Sequence, residues 1–150
     1  MMEDLERVLR SHPFANDLAA EHVTFLVGCA KNVRFRAGEY VIREGEREDT
    51  LHLIRQGSVA IEMPRPGGDP IVVETIGAGD VLGVSLMTAG AAHLDCRARE
   101  TVIALAIDNA CLQRKMEADP RLGYAISRRL LERTYQRLVR SRLQHLDVYR

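Results

Sequence analysis

The sequence predicts a mainly β protein, an antiparallel sandwich or barrel flanked by N-terminal helices and a long C-terminal helix. Three observations support this prediction. Apolar residues recur at helical spacing up to about residue 29, alternate along short runs from 33 to 107, and return to helical spacing from residue 108. Glycine turns separate the short runs. No crossover helix is predicted between consecutive runs, which indicates antiparallel pairing.

Two short helices are predicted before the β region. The first covers residues 2–12 and ends at Pro13, which cannot continue a helix. The second covers residues 17–29, with Asp17 as its N-cap and Gly28 near its end.

The β region consists of short alternating runs that end at turn residues. The segment 64–70 holds three prolines and two glycines, which predicts a hairpin turn. Residues 81–95 show no clear period. The predicted strands cover residues 33–36, 40–42, 51–54, 59–63, 71–76 and 96–107.

The C-terminal region is helical and basic. Asp108 is placed to cap a helix that reaches about Met116, and Asp119-Pro120 begins a long helix. Residues 121–150 hold eight arginines against two acids, a net charge of +6, so residues 1–120 carry −6. The arginine face fits an acidic partner or a nucleic-acid backbone, or else a solvated helix that balances the acidic body. The apolar stripe of the long helix consists of Leu122, Ile126, Leu130, Leu131, Thr134, Leu138, Leu143 and Leu146.

Composition excludes several function classes. The 150 residues suit one domain, and 46% apolar with 28% charged residues is typical of globular proteins. The formal net charge of zero excludes a strongly basic nucleic-acid binder. No run approaches the roughly 20 apolar residues of a transmembrane helix, and the N-terminus has no apolar signal core. We expect a soluble cytoplasmic protein.

Three cysteines, Cys29, Cys96 and Cys111, lie too far apart for a zinc or iron–sulfur motif. Their odd number argues against a disulfide framework. We therefore expect three reduced thiols.

Three motifs built around glycine turns run through the β region. They are Phe35-x-x-Gly38-x-x-Val41-Ile42-x-Glu44-Gly45, Asp49-x-Leu51-x-x-Ile54-x-x-Gly57-Ser58-Val59 and Ile76-x-x-Gly79-Asp80-Val81-Leu82-Gly83. With the strand 102–107 and Asp119-Pro120, these motifs resemble the cyclic-nucleotide-binding domain family, which includes catabolite activator proteins, kinase regulatory subunits and gated channels. The resemblance covers nearly the whole chain and implies an eight-stranded β-roll, a cupin-like jelly roll, over 33–107, with helices at 1–30 and 108–150.

The resemblance implies a ligand cassette after Gly79-Asp80. There, backbone N–H groups and an arginine hold the cyclic phosphate, and a glutamate holds the ribose. In this chain Gly83 is retained, but Val84 stands at the glutamate position and Ala92 at the arginine position, beside His93. Two lost charged hydrogen bonds predict an affinity for cAMP or cGMP lower by about a thousandfold. The predicted ligand contacts are Gly83, Val84, Ser85, Leu86, Ala92 and His93.

The final helix is the expected route to a partner. In the regulators of the family it pairs across a two-fold axis and leads through a hinge to a helix-turn-helix domain. Here 146–148 resembles that hinge, so the chain is either a stand-alone module that acts through a partner protein or a fragment cut at the hinge. Ile126 and Leu130 are expected to pack on the β-roll. The candidates for capping the pocket or for a homodimer contact are Leu131, Arg137 and Leu138.

Several functions remain open on the sequence alone. The first is a non-catalytic sensor whose ligand, a cyclic nucleotide or a neutral molecule in an apolar cavity, shifts the final helix. The second is an interaction protein with a degenerate pocket. A haem-binding variant would use His93 or a cysteine as axial ligand. A cupin-type metalloenzyme is not expected, because no two of the five histidines are close in sequence.

Overall fold

The computed structural model of the protein describes residues 4–47, 49–84 and 91–148. Within these ranges eight strands lie between N-terminal and C-terminal helices, which confirms the predicted fold class. The elements are α1 (Leu5–Ser11), α2 (Ala20–Val27), β1 (Ala30–Phe35), β2 (Tyr40–Ile42), β3 (Thr50–Gln56), β4 (Val59–Met63), β5 (Ile71–Ile76), β6 (Val81–Leu82), β7 (Asp95–Ala98), β8 (Val102–Asp108), α3 (Asn109–Ala118) and α4 (Pro120–Val148).

The strands form two four-stranded sheets, and their observed pairs are antiparallel, as predicted. The first sheet has the order β1-β8-β3-β6 and the second the order β2-β7-β4-β5. Side chains alternate across the first sheet, so that Leu53 packs with the helices while its neighbour Ile54 packs between the sheets. The roll therefore has an inner core between the sheets and an outer core under the helices.

The N-terminal helices are shorter than predicted. Asp4 caps α1 by accepting hydrogen bonds from the backbone N–H groups of Glu6 and Arg7. The predicted N-cap of α2 is wrong, because the chain makes turns until α2 begins at Ala20, with no side-chain cap. Asp17 instead accepts a hydrogen bond from Arg129 Nε of α4 at 3.1 Å.

The C-terminal helices begin where the sequence predicts. Asp108 Oδ2 accepts from the Cys111 N–H at 2.8 Å, and Asp119 Oδ1 accepts from the Arg121 N–H at 3.0 Å. Both are local acid-to-backbone caps, which is why the sequence reveals them. In the described part of the chain, no helix contains a segment apolar enough to cross a membrane.

The expectation of three reduced thiols is wrong. Cys29 and Cys111, which lie 82 positions apart, form a disulfide, and Cys96 is a buried thiol outside that bond. The pairing follows from the β1–β8 ladder, which ends where Asp108 N donates to the Cys29 carbonyl at 3.0 Å. This ladder brings the end of α2 beside the first turn of α3. Only the tertiary pairing of distant strands creates this proximity.

Candidate functional site

A tight turn and a close backbone approach position the predicted cassette. Asp80 closes the turn by donating its N–H to the Gly77 carbonyl and accepting the Gly77 N–H on Oδ2, both at 3.0 Å. β6 then runs beside β3 and is followed directly by Gly83, whose φ is +101°. A Cβ on Gly83 would collide with the carbonyl oxygen of Thr50. Glycine is therefore required here by geometry, independently of any ligand.

A cavity of about 250 Å³ opens beyond β6, in the inner core. Four predicted cassette residues, Gly83, Val84, Ala92 and His93, line it together with Arg137 of α4. Ser85 and Leu86 lie outside the described residues. We call this cavity the cassette pocket. Its other lining residues are Ile42, Ile61, Glu74, Leu82, Leu94 and Cys96.

The two positions predicted to replace the glutamate and arginine of the family contribute apolar walls. Ala92 is buried and Val84 is half-buried, and as alanine and valine they offer a ligand neither a charge nor a polar side-chain atom. The exposed ring of His93 also contributes to the lining. Within the described ranges, no three histidine, cysteine or acidic side chains are grouped to hold a metal ion.

Two charged residues line the pocket, Arg137 and Glu74. They form an ion pair with each other, and both lie outside the cassette. Arg137 Nε and Nη2 donate to the two carboxylate oxygens of Glu74, each at 2.9 Å, and Nη1 donates to the Val81 carbonyl at 3.3 Å. The side chains are only 20% and 17% exposed. Burial alone lowers the pKa of Arg137, but the hydrogen bonds and charge of Glu74 outweigh it and hold the pKa above its usual value.

Sequence reasoning missed Glu74. It lies in β5, and its Cα partner on β4 is Ile61, which also lines the pocket. The available signal was a single carboxylate inside the otherwise uncharged run 71–76. A charged residue at an inward position of a strand calls for a buried partner. Its partner could not be found in this way, because Arg137 is 63 positions away.

The other two cap candidates do not line the pocket. Leu131 is 70% exposed and Leu138 is 45% exposed, and neither belongs to the pocket walls. Arg137 is thus the one predicted cap residue that reaches the described walls of the cavity. Ile126 and Leu130 are buried in the outer core, as expected.

Two further ion pairs connect α4 to the body. Arg140 Nη2 donates to Asp80 Oδ1 at 2.9 Å, and Arg129 bonds to the largely exposed carboxylate of Asp17. With Arg137, three arginines of the basic helix face acids of the acidic body. Part of the charge asymmetry is therefore satisfied within the chain.

The chain is similar to known proteins in sequence and in fold. The family described as "Cyclic nucleotide-binding domain" matches residues 32–119. Mouse cGMP-dependent protein kinase 2 is 28% identical over 111 residues, which are 73% of this chain and 14% of the kinase. This chain thus spans a small part of that relative.

Two solved structures illustrate the likeness in fold. A cyclic nucleotide-binding domain from Methylobacillus flagellatus KT superposes with a TM-score of 0.79 at 21% identity, over 95% of this chain and 81% of that one. The regulatory subunit of a cAMP-independent protein kinase A from Trypanosoma cruzi, bound to guanosine, has a TM-score of 0.62 at 24% identity, over 79% and 46%.

Proposed function

Because the chain belongs to the cyclic nucleotide-binding domain family, we propose that it is a non-catalytic regulatory module that binds a small effector in the cassette pocket. Binding alters the contacts of α4, and α4 passes the signal to a partner protein. This role matches the regulatory character of the family, and signalling through α4 to a partner protein requires no helix-turn-helix domain.

One observation supports this proposal above the others. Arg137 belongs to α4, lines the cassette pocket and bonds to two strands of the roll through Glu74 and Val81. An effector in the pocket therefore competes or cooperates with the contacts that hold α4. Such a shared side chain couples occupancy of the pocket to the position of the helix.

The walls favour an effector other than cAMP or cGMP bound in the manner of the family. The side chains of Val84 and Ala92 supply no partner for a ribose hydroxyl or a phosphate. At about 250 Å³ the cavity is also slightly smaller than ligand pockets usually are, roughly 300–1,000 Å³. A small ligand therefore fits this volume directly. The likeness to a guanosine-bound protein makes nucleosides reasonable probes.

Calorimetric titration with cAMP, cGMP, adenosine and guanosine tests the proposal, followed by hydrogen exchange of α4 amides. We expect at least one probe to bind and to change exchange in residues 131–148. Ala92→Leu fills the cavity and should abolish binding. Ala118→Leu is the matched control, because it adds the same atoms at an exposed position.

Two outcomes would count against the proposal. Absence of heat and of a thermal shift with all four probes at millimolar concentration contradicts a sensor of this ligand class. Binding without any change in α4 exchange contradicts signalling through the helix.

A second candidate is an interaction module that dimerises through α4. It is favoured by exposed apolar side chains along this helix, and Leu131, Tyr135 and Leu138 recur at coiled-coil spacing. Sedimentation of the wild type and of Leu131→Glu tests it. A wild-type dimer that becomes monomeric in the variant supports this function, and a wild-type monomer at high concentration contradicts it. The exposed set is Tyr124, Leu131, Tyr135, Leu138, Leu143 and Leu146.

A further inference from the structure

We infer that Glu74 sets the ligand class of the cassette pocket: its carboxylate excludes anions, so the pocket takes an uncharged molecule that offers hydrogen-bond donors, of which a nucleoside is an example. This inference rests on the proposed function, since it concerns the same pocket. It assigns a specificity role to a residue outside the cassette.

The charges on the described pocket walls balance each other. Among the described lining residues, Arg137 carries the one guanidinium and Glu74 the one carboxylate. Both carboxylate oxygens already accept from Arg137, and Nη1 donates to Val81. The cation that an incoming phosphate would need is therefore already neutralised by a group of the protein itself.

An anion in the pocket would have to displace Glu74 from Arg137 or lie beside its carboxylate. Both side chains are at least four-fifths buried, so solvent and salt screen their charges only weakly. An anion that takes Arg137 leaves the carboxylate without its partner in the interior. An anion that does not take Arg137 meets the carboxylate as a like charge. Either arrangement is strongly unfavourable.

The Glu74 carboxylate can still accept hydrogen bonds from an uncharged ligand. An ionised carboxylate has about four lone-pair positions, and Arg137 uses two of them here. The remaining positions can accept from a hydroxyl or an amino group in the cavity. Apolar walls such as Val84 and Leu94 suit the flat, less polar faces of such a molecule.

The test compares cAMP with adenosine, which lacks the phosphate, on the wild type and on Glu74→Gln. This substitution keeps the shape of the side chain and removes its charge. We expect the wild type to prefer adenosine, and the variant to bind cAMP at least about 100-fold more tightly than the wild type does. Adenosine affinity should change by much less.

Asp17→Asn is the control for loosening of α4. It removes the same charge from the partner of Arg129, another ion pair between the body and α4, and Asp17 belongs neither to the pocket walls nor to the turn that positions the cassette. We expect it to leave the preference between cAMP and adenosine unchanged. An equal gain in cAMP affinity in both variants would attribute the effect to loosening of α4 and would overturn the inference.

The remaining outcomes separate this inference from the proposed function. A wild type that binds cAMP as tightly as adenosine overturns the role of Glu74 but leaves a ligand sensor in place. A Glu74→Gln variant with no gain in cAMP affinity also overturns it. A variant that binds cAMP, beside a wild type that binds no probe, supports the exclusion of anions by Glu74 but overturns the uncharged ligand and contradicts the proposed function.

Discussion

The two halves of α4 are held to the body in different ways. In the proximal half, residues 120–130, the side chains of Leu122, Ile126 and Leu130 are buried in the outer core. In the distal half, residues 131–148, the leucines whose exposure is described are exposed, and among the described contacts Arg137 and Arg140 bond to the body. One continuous helix thus combines a hydrophobic anchor with a polar attachment.

This difference assigns separate roles to the two halves. Burial of apolar side chains contributes to global stability, whereas the half-exposed Arg140 pair contributes little and the more buried Arg137 pair holds the helix at a single point. The distal half can therefore open locally while the body stays folded. A segment with that property is suited to transmit occupancy of the cassette pocket.

The largest expected effect comes from truncating matched apolar residues in the two halves. Ile126→Ala leaves a cavity in a fully buried site and should lower the free energy of unfolding by about 3 kcal/mol. Leu131→Ala removes a 70% exposed side chain and should change it by less than about 0.5 kcal/mol. Urea denaturation of both variants at low protein concentration measures this contrast.

A large cost at Leu131 would break the comparison. It would mean that this side chain is buried in the assembled protein, as in the dimer of the second candidate function. Repeating the Leu131→Ala measurement over a hundredfold range of protein concentration distinguishes the cases, because only a dimer contact makes the cost depend on concentration.

What the sequence could predict follows the range of the interactions. The caps Asp108 and Asp119 and the burial of Ile126 were predictable, because capping and helical periodicity involve near neighbours. The Cys29–Cys111 disulfide and the Arg137–Glu74 pair were not, since each joins segments that only the finished roll brings together. The cassette residues were predicted by family likeness, and Glu74 was missed because it lies outside the cassette.

A pH titration sharpens the comparison, because it acts on the body rather than on the distal half. His52 of β3 is buried against Phe35, and its Nδ1 has no hydrogen-bond partner. Burial lowers the pKa of His52 to about 4, although the charge of Asp49 opposes the shift. Burial likewise lowers the pKa of His12, against the opposing effect of its hydrogen bond to the Ile54 carbonyl.

Stability should therefore fall as the solution becomes acidic. Above pH 6.5 both imidazoles are neutral in both states, but below it the unfolded chain takes up protons that the folded protein rejects. From pH 7 to pH 5 the His52 contribution lowers the free energy of unfolding by about 2 kcal/mol. In His52→Leu the decrease in the free energy of unfolding that is due to His52 should disappear, and the decrease due to His12 should remain. An unchanged pH dependence in the variant would contradict the role of His52.

The smallest expected effect is that of salt, and it is confined to the distal half. Raising NaCl from about 0.1 to 1 M shortens the Debye length from about 10 to about 3 Å, which weakens exposed ion pairs more than buried ones. The Arg140 side chain is 50% exposed and that of Arg137 only 20%. Amide exchange should therefore accelerate beyond residue 140, much less around 137, and not in residues 120–130.

Asp80→Asn should reproduce this pattern at low salt, because it removes the charge that holds Arg140. Equal acceleration along the whole of α4 would show that the two halves open together, and the helix would then be one cooperative unit rather than an anchor and an arm.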